Sequence, residues 1–297
     1  MLLACLGAAQ PALGAPNAIA AENARAGTSE WDVEPPAQPA IEGYVSESSV
    51  PPGGAFHLHV RAPAGSRYRI AIYRLGWYGG AGGRLLRCLP ACDGDSPAVP
   101  QPDPPPPDPH TGSVDAGWRV TDVLPVGPDW VSGYYLAQLR VTAGPDAGAV
   151  GRVPLIVRAP PRDHAAIAVQ VPVNTWQAYN GWGGKSLYPH NSTRRKPAVK
   201  VSFNRPYSED VPVKVPFMLE LPALHFIERS GLDVSYVTDV DVDRDPGLLL
   251  RHRAAVSIGH DEYWSGAMRA AWSSALRRST SLAALGANEA YWQVRYE

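Results

Sequence analysis

The sequence predicts an α+β protein of two domains, an antiparallel β-sandwich followed by a parallel α/β sheet. Three observations carry that prediction. From Ile41 to about Arg158, apolar residues alternate with polar ones, the period of two that marks half-buried strands. After Pro160-Pro161 further apolar runs follow, the first of them, Ala165 to Val171, continuous, as in a strand buried on both faces. Those runs then alternate with a stretch of helical periodicity, the rhythm of a parallel sheet with crossover helices. A length of 297 residues accommodates two domains, and a hydrophobic fraction of 45% supplies a sizeable core. The 31 prolines and 28 glycines favour turns and short strands.

Met1-Leu2-Leu3-Ala4-Cys5-Leu6 and the Ala-rich residues up to Ala21 read as a signal peptide with small-residue cleavage positions near Ala15 or Ala21, although a basic start is missing. The expectation is a secreted or cell-envelope protein; without export it would be cytoplasmic. Residues 22–40, rich in Ala, Glu and Pro, read as a loose linker. Within residues 41–160, Phe56, Leu58 and Val60 alternate with His57 and His59, and Tyr68, Ile70 and Ile72 with Arg69 and Ala71. Tyr135, Ala137, Leu139 and Val141 form a third such strand, and Val153, Leu155 and Val157 a fourth. Pro97 to Pro109, with four successive prolines from Pro104 to Pro107, cannot pair as a central strand and reads as an inserted surface loop. Cys88 and Cys92 suit a small disulfide loop in an exported protein, and no further Cys or His stands near them to complete a metal site.

Residues 161–297 supply the α/β part. Ala165 to Val171 reads as its first strand, Val234 to Val240 as the second, Ala254 to Ile258 as the third and Leu282 to Leu285 as the fourth. Phe217 to Arg229 reads as a helix closed by Gly231. Ser265 is a good N-cap for a second helix, in which Met268, Ala271, Trp272, Ala275 and Leu276 recur at helical spacing. The chain stops at Glu297 soon after the fourth strand, so the sheet is expected to be truncated or completed by elements outside it.

Composition narrows the partners. A net charge of -1 with no basic excess argues against nucleic acid as the main one, and no run is long and apolar enough to span a bilayer. Polar and aromatic residues gather after three strands: Asn174 to Gly184, His260-Asp261-Glu262-Tyr263-Trp264, and Gly286 to Trp292. In a parallel sheet these ends share one edge, where ligands collect. Singly, each aromatic there could be rim packing and each acid a helix cap; together they point to a site. A cysteine nucleophile is excluded because all three cysteines lie at or before position 92. The serine elbow Gly-x-Ser-x-Gly, the zinc motif His-Glu-x-x-His and a phosphate-binding Gly-x-Gly-x-x-Gly are absent. Asp239, Asp241, Asp243 and Asp245 imitate a calcium loop, but Gly is missing at its sixth position and Leu250 replaces the closing Glu; the run reads as a solvated loop. Oxygen and nitrogen chemistry remains, suited to a hard metal that polarises a carbonyl and activates water.

The segments Pro172 to Asn180, Gly231 to Val240, Gly259 to Ser265 and Gly286 to Trp292, with Tyr73 to Gly80 and Ser132 to Tyr135 upstream, resemble the C-terminal region of the large (beta) subunit of N,N-dimethylformamidase and its relatives. The resemblance implies an Ig-like sandwich joined to an amidotransferase-like (flavodoxin-like) α/β domain. It implies a mononuclear ferric iron held by two tyrosinates and a glutamate. The glutamate carries over onto Glu262 and one tyrosine onto Tyr179. Spacing favours Tyr135 as the second, on an alternating face of a sandwich strand, with Tyr188 as the alternative. His260 and Asn288 carry over as the pair that handles protons and orients the carbonyl. The implied function is an iron-dependent hydrolase of a small amide or related C–N bond, working as a homo-oligomer or with a small partner subunit. Alternatives are a non-enzymatic exported binding or scaffold module, and a metal hydrolase of another substrate such as a glycan-linked amide.

Overall fold

A computed structural model of the chain describes residues 17–208 and 219–297. Its first element is a short helix, α1 (Ala18–Asn23), capped by Asn17, whose side chain accepts from the Ala20 amide at 2.9 Å. Eight strands follow: β1 (Glu42–Val45), β2 (Ala55–Arg61), β3 (Arg67–Leu75), β4 (Gly83–Leu89), β5 (Ser96–Pro97), β6 (Asp122–Pro125), β7 (Gly133–Ala143) and β8 (Val150–Val157). They make two antiparallel sheets, β1-β2-β6 and β4-β3-β7-β8, with β5 paired to the start of β3. The alternating apolar residues close the space between the sheets: Phe56, Leu58 and Val60 of β2 share one buried cluster with Ile70 and Ile72 of β3 and Leu139 of β7. Cys88 and Cys92 are joined by a disulfide.

The α/β part runs through β9 (Ile167–Val171), α2 (Val173–Tyr179), α3 (Leu221–Arg229), β10 (Val234–Thr238), α4 (Asp239–Arg244), β11 (Ala254–Gly259), β12 (Tyr263–Ser265), α5 (Gly266–Arg277), β13 (Ser281–Gly286) and β14 (Trp292–Val294). The main sheet is wholly parallel in the order β10-β9-β11-β13. β9 is central, with all but its first residue buried, as its continuous apolar run requires. β10 adds on one side of β9 and β11 on the other. The sheet order therefore reverses between β9 and β11, the kind of switch point beyond whose strand ends open α/β sheets bind ligands. β12 and β14 form a short parallel pair.

The two parts share a core. Tyr73, Leu75, Tyr134 and Ile156 of the sandwich pack in one cluster with Val169, Trp176, Leu224 and Tyr236. A buried polar network crosses the same boundary. Arg74 Nη2 and Nη1 donate to Glu228 Oε1 and Oε2 at 2.8 and 3.0 Å, and Tyr236 OH donates to Oε1 at 3.0 Å. The bidentate geometry lets a guanidinium and a carboxylate sit without water.

Three expectations need correction. Residues 22–40 are not a loose linker at their start: Glu22 is buried and accepts from Tyr78 OH at 2.8 Å and Arg84 Nε at 2.7 Å, while Asn23 donates to Glu228 at 2.7 Å. α1 is thus part of the boundary network, and a cut after Ala21 would sever it; Ala15 lies outside the described residues. The run Asp239–Asp245 is not a solvated loop but begins as helix α4, with Asp239 and Asp241 buried, because Thr238 and Asp241 form a capping box that starts the helix. The third helix begins at Leu221, with Pro222 in its first turn where a missing amide proton costs nothing; residues 217 and 218 lie outside the described residues. β13, the edge strand of this sheet, is largely exposed.

Candidate functional site

The carboxyl ends of the parallel strands are wired together before any functional group is placed. Pro172 offers α2 no side-chain cap, and Asp239 at the start of α4 takes that role by accepting from the Asn174 amide at 2.9 Å. The Asn174 side chain donates to the Tyr263 carbonyl at 2.9 Å, and Thr175 Oγ1 accepts from the Glu262 amide at 2.9 Å. The first turn of α2 therefore holds the backbone that follows β11. Gly259 makes that segment possible: its φ of 80° is one that glycine adopts without strain, and a β-carbon there would lie 2.8 Å from Glu220 Oε1.

On this frame, side chains far apart in sequence converge on one carboxylate. Glu262 is buried at 4% exposure. Its Oε2 accepts from Tyr179 OH at 2.9 Å and lies 3.1 Å from His260 Nε2. Its Oε1 accepts from Tyr188 OH at 2.8 Å. The Tyr179 and Tyr188 rings stack with centroids 4.3 Å apart. His260 Nε2 lies 3.3 Å from Tyr179 OH and 3.4 Å from Asn288 Nδ2. Asn288 is held at a φ of 60°, a conformation that asparagine tolerates better than most residues.

The sequence-expected residues Tyr179, Glu262, His260 and Asn288 thus lie together, and Tyr135 does not. Tyr135 is fully buried in the sandwich cluster, its ring stacked on Trp130 at 5.1 Å and its hydroxyl donating to the Val131 carbonyl at 2.6 Å. The alternation that places it on β7 also turns it into the sandwich core. Tyr188, the alternative, occupies the position at Glu262.

The protonation of the phenols follows from their surroundings. Burial raises the Tyr179 hydroxyl above its ordinary pKa, with the Glu262 carboxylate adding to the shift and the Tyr188 hydrogen bond opposing it. Tyr188 is raised further, by burial first and then by hydrogen bonds with Tyr179, Tyr263 and Glu262. Tyr263 is pushed up to about 12, chiefly by burial. In the absence of a cation all three stay neutral, and two of them solvate Glu262.

Beneath this cluster lies a second one, buried except for the half-buried Glu289. Gln170 Nε2 donates to Asp239 Oδ1 at 3.1 Å and to Asp261 Oδ2 at 2.7 Å, while its Oε1 accepts from Trp272 Nε1 at 2.7 Å. Ser257 Oγ lies 2.8 Å from Asp261 Oδ2 and 2.7 Å from Glu289 Oε2. One hydroxyl proton cannot serve both carboxyls, so one of the two carries a proton of its own. Accordingly, burial pushes Asp261 up to about 7, and burial with the Asp261 charge raises Asp239 well above the carboxylate range. Sequence reasoning missed Gln170, Thr175, Ser257 and Asp239 as site-shaping residues. Thr175 stood within the polar segment Asn174 to Gly184, and Asp239 among the repeated aspartates, where the repeat pointed to the wrong structure.

The donor set of the upper cluster fits a hard cation. Both carboxylate oxygens of Glu262 meet the hydroxyls of Tyr179 and Tyr188, and the two phenol protons between them stand where a cation's charge would act. Among the described residues no group of three His, Cys, Asp or Glu side chains is arranged to hold a metal, so any such site depends on the tyrosines. Among the described residues, no helix is long and apolar enough to cross a membrane.

Comparison with known proteins agrees with the motifs at the strand ends. No curated protein matches the chain. The model of one family, described as N,N-dimethylformamidase beta subunit-like, C-terminal, matches residues 69–297, which include every strand end that builds the cluster. The chain belongs to the N,N-dimethylformamidase beta subunit-like family.

Proposed function

We propose that the protein is an iron-dependent hydrolase of small amides or related C–N bonds, with Glu262, Tyr179 and Tyr188 as the residues that hold the metal. The observation that carries this reading is the meeting of two tyrosine hydroxyls on one buried carboxylate, with His260 on the same oxygen as Tyr179. Bound ferric iron would supply a Lewis acid that polarises the amide carbonyl and lowers the pKa of water. His260 Nε2, half-buried and facing the cluster, accepts the proton of the attacking water and returns it to the leaving amine. Asn288 Nδ2 donates to the carbonyl oxygen as negative charge develops there, worth roughly 3 kcal/mol when well placed. The stacked rings of Tyr179 and Tyr188 wall the cluster on one side and keep bulk water off Glu262. The family name supports work beside a small partner subunit, and the Cys88–Cys92 disulfide supports an exported, oxidising location.

The test is metal content and visible absorption of protein purified from iron-supplied cells, followed by amine release from a panel of small amides. We expect about one iron per chain, a tyrosinate-to-iron absorption band, and loss of both in Glu262→Ala. A folded protein that is colourless and metal-free would overturn the reading and leave a binding module.

A further inference from the structure

We infer that the mouth of this site receives amides that carry a carboxylate, held by Arg194 and Arg195; the inference rests on the amide-hydrolase reading and names its substrate class. From residue 164 to residue 208 the chain has no Asp or Glu, yet it carries Lys185, Arg194, Arg195, Lys196, Lys200 and Arg205, in a protein whose net charge is only -1. Three of these cations are committed elsewhere. Arg205 is buried and donates to backbone carbonyls, among them Gln177 and Asn180 at the end of α2. Lys185 Nζ donates to the Lys196 carbonyl at 2.6 Å, and Lys200 pairs with Glu297 at 2.7 Å. Arg194 and Arg195 are exposed, and among the described residues neither makes an ion pair.

The backbone that presents them is tied to the site and strained. Asn191 Nδ2 donates to the Tyr179 carbonyl at 2.9 Å, and Ser192 Oγ donates to the Tyr188 carbonyl at 2.8 Å. The His190 ring lies 5.2 Å from that of Tyr188 and 6.4 Å from that of Tyr179. Two and three residues past Ser192, Arg194 and Arg195 have φ values of 56° and 55°. L-residues such as arginine rarely adopt this region, and two in succession persist only where the surroundings enforce it. The strained pair stands on the turn that Asn191 and Ser192 tie to the Tyr179 and Tyr188 carbonyls, and each residue carries an exposed guanidinium, a planar fork matched to a carboxylate. An uncompensated positive rim also raises the local concentration of anionic substrates over a carboxylate-lined interior.

The experiment compares kcat/KM for N-formylglycine and for N-methylformamide, at low and high salt, in the native protein and in Arg194→Gln/Arg195→Gln. Equilibrium binding of N-formylglycine is measured by ligand-observed NMR. Melting curves check that the double variant, altered only at exposed positions, is folded. The native protein should favour N-formylglycine by about tenfold or more. That ratio should fall roughly tenfold in the double variant and in high salt, as for exposed charge pairs. A native ratio at or below one, or a ratio the double variant leaves unmoved, overturns the inference. If neither amide turns over but N-formylglycine binds and the double variant weakens it, the rim stands and the hydrolase reading falls. Binding that is absent, or indifferent to the double variant, overturns the rim as well.

Discussion

The hydroxyl of Tyr188 lies 2.8 Å from Glu262 Oε1, whereas that of Tyr135 is used by the Val131 carbonyl at 2.6 Å. Two tyrosines with similar claims from the sequence therefore have different physical jobs, and single-atom deletions separate them. Tyr188→Phe removes one of the two phenol oxygens from the cluster and should lower iron content and shift or abolish the absorption band, with activity down by more than about 100-fold. Tyr135→Phe should leave metal content unchanged and cost about 1 kcal/mol of stability, read from urea unfolding, because the Val131 carbonyl loses its partner. The reverse pattern would return the second ligand to the sandwich. At this scale the sequence was half legible. Glu262, His260 and Tyr179 stand in polar segments that follow strands, and three such segments on one edge made them legible as a group. The choice between Tyr135 and Tyr188 depends on the path of residues 180–188, where short turns with Gly183 and Gly184 at positive φ carry no periodicity to read.

Among the elements, α5 shows how a local rule locates part of the site. Ser265 Oγ accepts from the Met268 amide at 3.1 Å and donates to Asp243 Oδ1 at 2.6 Å. The same hydroxyl starts the helix and joins it to α4, so the segment from Gly259 to Ser265 is held at its far end as firmly as Thr175 holds its middle. Ser265→Ala should cost about 1–2 kcal/mol in chemical denaturation, the value of an N-cap plus one hydrogen bond. A change below a few tenths would mean that tertiary packing alone fixes the helix start. Ser265, the helical spacing after it and the Gly231 closure of α3 were all evident from the sequence, since caps and periodicity act over three or four residues. α4 was not: its capping box uses Thr238 and Asp241, and four aspartates at alternate positions gave the same composition as a solvated loop.

For the molecule as a whole, the carboxyls buried beneath the site set a pH dependence. Asp261 is pushed up to about 7 in the fold, against an ordinary value near 4 in the unfolded chain. Between those values the folded protein binds more protons than the unfolded one, so the contribution of this group to stability falls as the pH rises. Metal-free protein should lose roughly 2 kcal/mol from this source between pH 5 and pH 7, measured by urea unfolding at each pH. Asp261→Asn should flatten that slope, whatever it does to absolute stability; an unchanged slope would show that the cluster is ionised throughout. The Arg74–Glu228 pair acts at the same scale, joining β3 to α3 with both side chains at or below 1% exposure. Such a pair adds little net stability when complete but is costly to break, so it keeps the sandwich and the α/β sheet in one arrangement and the boundary core intact.

The sequence by itself determined the two-part architecture, the parallel order of events after Pro160, and the three strand ends whose polar residues converge. It could do so because alternation, helical spacing and caps are local, and because a parallel sheet brings its strand ends to one edge whatever the loops do. Only the tertiary structure decided which tyrosine meets Glu262, that residues 17–23 belong to the folded body, and that Gln170 and Ser257 gather Asp239, Asp261 and Glu289 into one network. These depend on contacts between groups far apart in the chain, such as Asn23 with Glu228 and Tyr188 with Glu262. Their free energies arise from desolvation and pairing after the chain has closed, and no local pattern records which partner will be there.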